Sequence, residues 1–152
     1  MTDIENALED LVSIFEATLK IEVREFLRSR RASSENVDRA LATIGSQFQG
    51  IAKAAALVPF NCEGVLLFTN DSGVDAQLDR VFQKRHPITH NLGVIDRQFL
   101  RRVRVGGEEG TEVRVTKQEV EVAAKNILET LTSLHVRLRA RVAELSKTEG
   151  AS

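Results

Sequence analysis

Residues 116–145, TKQEVEVAAKNILETLTSLHVRLRARVAEL, decide the fold class. Val120, Ala124, Ile127, Leu131, Leu134, Leu138, Val142 and Leu145 recur every three or four positions, the repeat of one buried helix face. Thr116 opens the run and Glu119 follows three residues later, the pattern of a capping box in which side chain and backbone satisfy each other at a helix start. The chain's beginning reads the same way. Thr2 and Glu5 form a second capping box, and Ile4, Leu8, Leu11, Val12, Phe15, Leu19, Val23, Phe26 and Leu27 keep helical spacing to about Arg31. Two helices of this length each span roughly 40 Å. Their stripes either serve only the internal core or also offer a surface to a second copy.

The stretch between them predicts shorter helices. Ser33 and Ser34 cap a helix whose stripe is Val37, Leu41, Ile44, Phe48, Ile51 and Ala55 and which ends at Pro59 and Asn61. Gly45 and Gly50 weaken that helix by about 1 kcal/mol each relative to alanine and allow a bend or close packing. Residues 64–68, GVLLF, are either a buried extended piece or a helical turn. Asn70-Asp71-Ser72-Gly73 marks a turn, and a third helix follows with Val74, Leu78, Val81 and Phe82 on one side. Gly93 stops it, and Asp96 caps a short helix carrying Phe99, Leu100 and Val103. Gly106, Gly107 and Gly110, followed by alternating Val113 and Val115, predict a small β-hairpin or extended loop near 104–115. The expected architecture is an all-α bundle of four to five main helices, one domain over residues 1–147 with a frayed tail at 148–152.

Composition narrows the function classes. Hydrophobic residues make up 42 % and charged residues 28 %, the balance of a globular chain and not of a disordered one. Net charge is −1, so no global charge attracts nucleic acid or membrane. No run approaches the roughly 18 apolar residues of a membrane span. Cys62 is the single cysteine, which excludes an internal disulfide and fits a reducing, cytoplasmic location. The acidic N-terminus lacks the pattern of a secretory signal. Charge is nonetheless unevenly placed. Residues 1–16 hold Asp3, Glu5, Glu9, Asp10 and Glu16 with no lysine or arginine. Residues 80–104 hold Arg80, Lys84, Arg85, Arg97, Arg101, Arg102 and Arg104 against Asp96 alone.

Chemistry concentrates in Arg85-His86-Pro87-Ile88-Thr89-His90-Asn91. Pro87 lacks an N–H and disfavours helix at His86, so the helix kinks there or stops and restarts with Pro87 in its first turn. In the restart case free backbone N–H groups face an incoming anion. Arginine binds phosphate in a forked, bidentate way, and histidine takes or returns a proton near neutral pH. Those services suit cleavage of a phosphodiester by its own ribose 2′-OH. Arg85 and His90 stand about 140° apart on an ideal helix, so a kink or a second chain must bring them to one phosphate. Three blander readings stand beside this one. The histidines satisfy a helix end; His86 and His90 at i, i+4 hold a metal, though Asp79 and Asp96 are the only carboxylates near in sequence; or the basic residues at 97–104 form a solvated helix face.

The stretch 78–96, LDRVFQKRHPITHNLGVID, resembles the signature region of HEPN domains. That superfamily carries R-x-x-x-x-H, often with a polar residue after the arginine. Arg85, His86 and His90 fit this spacing, and Asn91, Gly93 and Asp96 resemble its HN-x-G-x-x-D continuation. The likeness covers about 20 residues, and Pro87 departs from the apolar, helix-compatible residue usual there. The resemblance implies a helical bundle acting as a metal-independent endoribonuclease of toxin or antiphage-defence type, without cofactor. It further implies a homodimer with both motifs in a common cleft, RNA as substrate, and restraint by a nucleotidyltransferase-like antitoxin or a larger defence-system partner. Arg85 would then bind phosphate and His90 would transfer protons, with His86, Asn91, Lys84, Arg97 and Arg101 supporting them or holding RNA. The alternative it implies is a non-catalytic HEPN-like module for RNA or protein binding and dimerisation.

Overall fold

The computed structural model describes residues 2–69, 72–85, 87, 97, 101, 110 and 113–151. Its helices among these residues are α1 (Asp3–Ser29), α2 (Ser34–Ile44), a single 3-10 turn (Gln47–Gln49), α3 (Ile51–Asn61), α4 (Val74–Gln83) and α5 (Lys117–Gly150). The protein is an all-α bundle, and the described residues contain no strand.

Both long helices begin as their sequences dictate. At α1 the Thr2 hydroxyl accepts from the Glu5 N–H at 3.2 Å while the Thr2 N–H donates to the Glu5 carboxylate at 2.6 Å. Thr116 and Glu119 repeat this box at α5, at 3.1 and 2.8 Å. Each box satisfies two of the N–H groups that a helix start leaves without partners. The helix expected over residues 34–61 is instead two helices. Gly45 takes φ +52° and ends α2, a backbone that glycine adopts without the penalty a Cβ would bring. The chain passes through the 3-10 turn and restarts at Ile51. The break turns Ala54, not Ala55, into the core. Pro59 lies inside α3, which ends only at Asn61.

α1 is the central element, lying against α5 on one side and α2, the 3-10 turn and α3 on the other. α4 bridges α3 and α5. α1 and α5 run parallel: Glu22 meets His135 at 2.8 Å, and further along Arg30 meets Glu149 at 2.6 Å. The core between these elements is aliphatic and phenylalanine-rich, with Leu8, Phe15, Leu19, Phe48 and Leu78 wholly buried. Phe15 of α1 and Phe82 of α4 meet edge to face, with ring centroids 5.3 Å apart, the geometry their ring quadrupoles favour. Residues 113–116 join no strand. Val113 is buried and Val115 packs partly against the core, as the extended-loop alternative expects, and the rest of 104–112 apart from Gly110 lies outside the described residues. The segment after α3 is pinned by Arg137 of α5, which donates to the Leu66 and Leu67 carbonyls. α5 continues through Gly150, so helix extends into the residues expected to fray.

Candidate functional site

α4 places the residues of interest. Leu78, Val81 and Phe82, at helical spacing, are buried; the helix lies against α3 and α5, and Phe82 meets Phe15 of α1. With that face fixed, the chain turns at Lys84, directly after the last residue of α4. Helical backbone resumes at Arg85 and at Pro87, and Pro87 is buried. A stop and restart around the proline accounts for this order, since proline's fixed φ suits a first helical turn.

Lys84 and Arg85 diverge to two different carboxylates. The Lys84 ammonium donates to Glu119 Oε1 at 2.6 Å and to the Arg114 carbonyl at 3.1 Å. Glu119 therefore serves twice, since its Oε2 accepts from the Thr116 N–H in the α5 capping box. Burial pushes the Glu119 carboxyl up, but the Lys84 ammonium and the Thr116 backbone N–H outweigh it and hold the group below its ordinary value. The Arg85 Nε–H donates to Glu9 Oε2 at 2.8 Å. Both partners of this pair keep about a quarter of their side-chain surface exposed, at 25 % and 24 %. A guanidinium carries five N–H donors, and the bond to Glu9 engages the Nε edge; among the described residues Arg85 has no other side-chain partner.

The structure thus places Lys84 beside the start of α5 and Arg85 beside the amino-terminal part of α1. Arg97 and Arg101 have helical backbone and exposed side chains, as a solvated basic helix face requires. His86, His90 and Asn91 lie outside the described residues, as do the predicted helix stop at Gly93 and cap at Asp96. The basic segment is not a bare positive patch at its start, because Lys84 and Arg85 are each opposed by a carboxylate. Glu9 and Glu119 are the residues that inspection of the motif alone misses. The signal for Glu9 lies in the opposite charge bias of residues 1–16 and 80–104, which complement each other. For Glu119 its capping role hides the second partner. Among the described residues no three His, Cys, Asp or Glu side chains are grouped to hold a metal ion, and no helix is long and apolar enough to cross a membrane.

Comparison of the chain with family models, with curated proteins and with solved structures gives no match.

Proposed function

We propose that this chain is a metal-independent endoribonuclease of toxin or antiphage-defence type, cleaving RNA with Arg85 and His90 contributed by two chains to a shared cleft. The observation that carries the reading is the anchoring of Arg85. Its Nε edge rests on Glu9 at the turn where α4 ends, which restricts the guanidinium while leaving donors for a second anion. In the reaction a ribose 2′-OH loses its proton and its oxygen bonds to phosphorus. The bond from phosphorus to the 5′ oxygen of the next nucleotide breaks, and that oxygen gains a proton. The products are a 2′,3′-cyclic phosphate and a 5′-hydroxyl. Arg85 neutralises the charge that builds on the phosphoryl oxygens, and His90 moves a proton. His86 and Asn91 orient the pair, and Lys84, Arg97 and Arg101 hold the strand. A nucleotidyltransferase-like antitoxin or a larger defence-system protein restrains the activity, which is exerted in the cytoplasm.

The test is incubation of the chain with labelled RNA in EDTA. Cleavage leaving cyclic phosphate ends, abolished by Arg85→Ala and by His90→Ala in folded proteins, is the expected result. Cleavage that both variants retain overturns the assignment. The pairing of both Lys84 and Arg85 with carboxylates favours one other reading, a non-catalytic module that binds RNA or protein and dimerises. Such a module binds RNA without cutting it.

A further inference from the structure

The carboxy-terminal parts of α1 and α5 leave a cleft of about 300 Å³ between them. A polar bridge closes one end, where His135 Nδ1 and Glu22 Oε1 lie 2.8 Å apart. At the other end the lining residues are Ser29 and Ala143, whose short side chains do not reach across. Phe26 and Leu138, each 3 % exposed, form the floor. An apolar cleft with a few polar groups at its edge is the usual form of a small-molecule site, and this volume lies at the lower end of the roughly 300–1,000 Å³ that such sites span. It holds one small molecule and not a peptide or a nucleotide.

The charges at the mouth indicate which molecule. Glu25 lies three residues beyond Glu22 on α1, and Arg139 lies four beyond His135 on α5. Because the two helices run parallel, these steps bring Glu25 and Arg139 to nearly the same level on opposite walls of the cleft. Both are exposed, and they do not pair with each other. Glu25 Oε1 meets Arg28 at 3.6 Å, a long and solvated contact that leaves Oε2 over. Arg139 pairs with no carboxylate among the described residues. A simple apolar anion entering the cleft meets Glu22 and Glu25 as well as Arg139, and an apolar cation meets Arg139. A ligand with a positive and a negative group side by side on an apolar body is opposed by neither wall.

We propose that this cleft binds a free apolar α-amino acid of leucine or phenylalanine size. Its carboxylate lies against the Arg139 guanidinium and its ammonium against the Glu25 carboxylate, two charge-assisted contacts. Its side chain enters toward Phe26 and Leu138, and the Glu22–His135 bridge forms the end wall.

The site does not rest on the ribonuclease reading. Arg85 is held at Glu9, and Glu9 and Glu25 stand about 24 Å apart along α1 at 1.5 Å per residue.

Titration of the isotope-labelled chain with L-leucine and L-phenylalanine, followed by amide chemical shifts, tests the proposal. Saturable shifts centred on residues 21–29 and 135–143 are expected. N-acetyl-leucine lacks the ammonium and leucinamide lacks the free carboxylate. Each is expected to bind at least about tenfold more weakly than leucine, the loss of one charge-assisted contact. Glycine, with no apolar side chain, is expected to give no saturable shift. Glu25→Gln and Arg139→Gln alter exposed positions, so both are expected to melt like wild type and to weaken leucine binding about tenfold each. No saturable shift up to the solubility limit of leucine, equal affinity for leucine and its two blocked forms, or leucine binding unchanged in both variants each overturns the proposal, whether or not the chain cleaves RNA.

Discussion

Arg85 and Glu9 are 76 residues apart in the chain, yet the Arg85 Nε–H reaches Glu9 Oε2 at 2.8 Å. The bond ties the end of α4 to the second turn of α1 and fixes the guanidinium by one edge. Since both side chains remain partly exposed, solvent screens the pair, and Glu9→Gln is expected to cost less than about 1 kcal/mol in a denaturant melt. The same substitution is expected to slow single-turnover RNA cleavage about tenfold, because it frees the guanidinium to rotate. Arg85→Lys keeps the charge but loses the planar fork, and a drop of about a hundredfold is expected. Cleavage equal to wild type in Glu9→Gln would show that Glu9 positions nothing.

Acid is expected to loosen the start of α5. In the folded chain the Glu119 carboxyl titrates below its ordinary value of 4.5 because Lys84 and the Thr116 N–H favour its charged form. A group depressed in the folded state stabilises fully above its unfolded pKa, and that contribution disappears as the pH falls through the folded pKa. Melting temperature is therefore expected to decline as the pH drops below about 4.5, and to decline less steeply in Glu119→Gln. Parallel curves for the two proteins would contradict the linkage.

Phe15 is wholly buried, and its ring contact with Phe82 lies three residues before Arg85. Phe15→Ala is expected to destabilise the fold by about 3–5 kcal/mol, the loss of a large core side chain plus the cavity it leaves. Phe82→Leu keeps most of the volume but not the edge-to-face geometry and is expected to cost about 1 kcal/mol. Urea titrations measure both.

The Cys62 thiol is fully buried, and that burial pushes its pKa up to about 12. Only the thiolate reacts readily. The native chain is expected to resist a thiol reagent at neutral pH and to react completely once unfolded in guanidinium. Prompt native labelling would mean that α3 opens far more often than its packing suggests.

The sequence makes the long helices legible because their apolar residues keep helical spacing through many turns, and because Thr2 with Glu5 and Thr116 with Glu119 mark their starts. It does not reveal the division at Gly45: a stripe from Val37 to Ile51 looks continuous, and only the positive φ of Gly45 shows that the axis breaks. Val113 and Val115 leave a hairpin and an extended loop both open for a related reason. Alternating burial arises wherever an extended segment lies on a bundle, with or without a pairing strand. At the candidate site, local sequence shows that Arg85 follows a helix and precedes a proline. It is silent on Glu9 and Glu119, because ion-pair partners are chosen by tertiary packing and lie far away along the chain.

The parallel arrangement of α1 and α5 bears on how the chain is made. Two neighbouring helices that point the same way require a long return path, and here more than a hundred residues separate the faces that meet. During vectorial synthesis α1 emerges early, and its stripe through Leu8, Phe15 and Leu19 awaits a partner that the ribosome has yet to produce. α2 and α3 shelter one side of it in the interval. The other side stays open until α5 leaves the exit tunnel, so bundle closure is a late event.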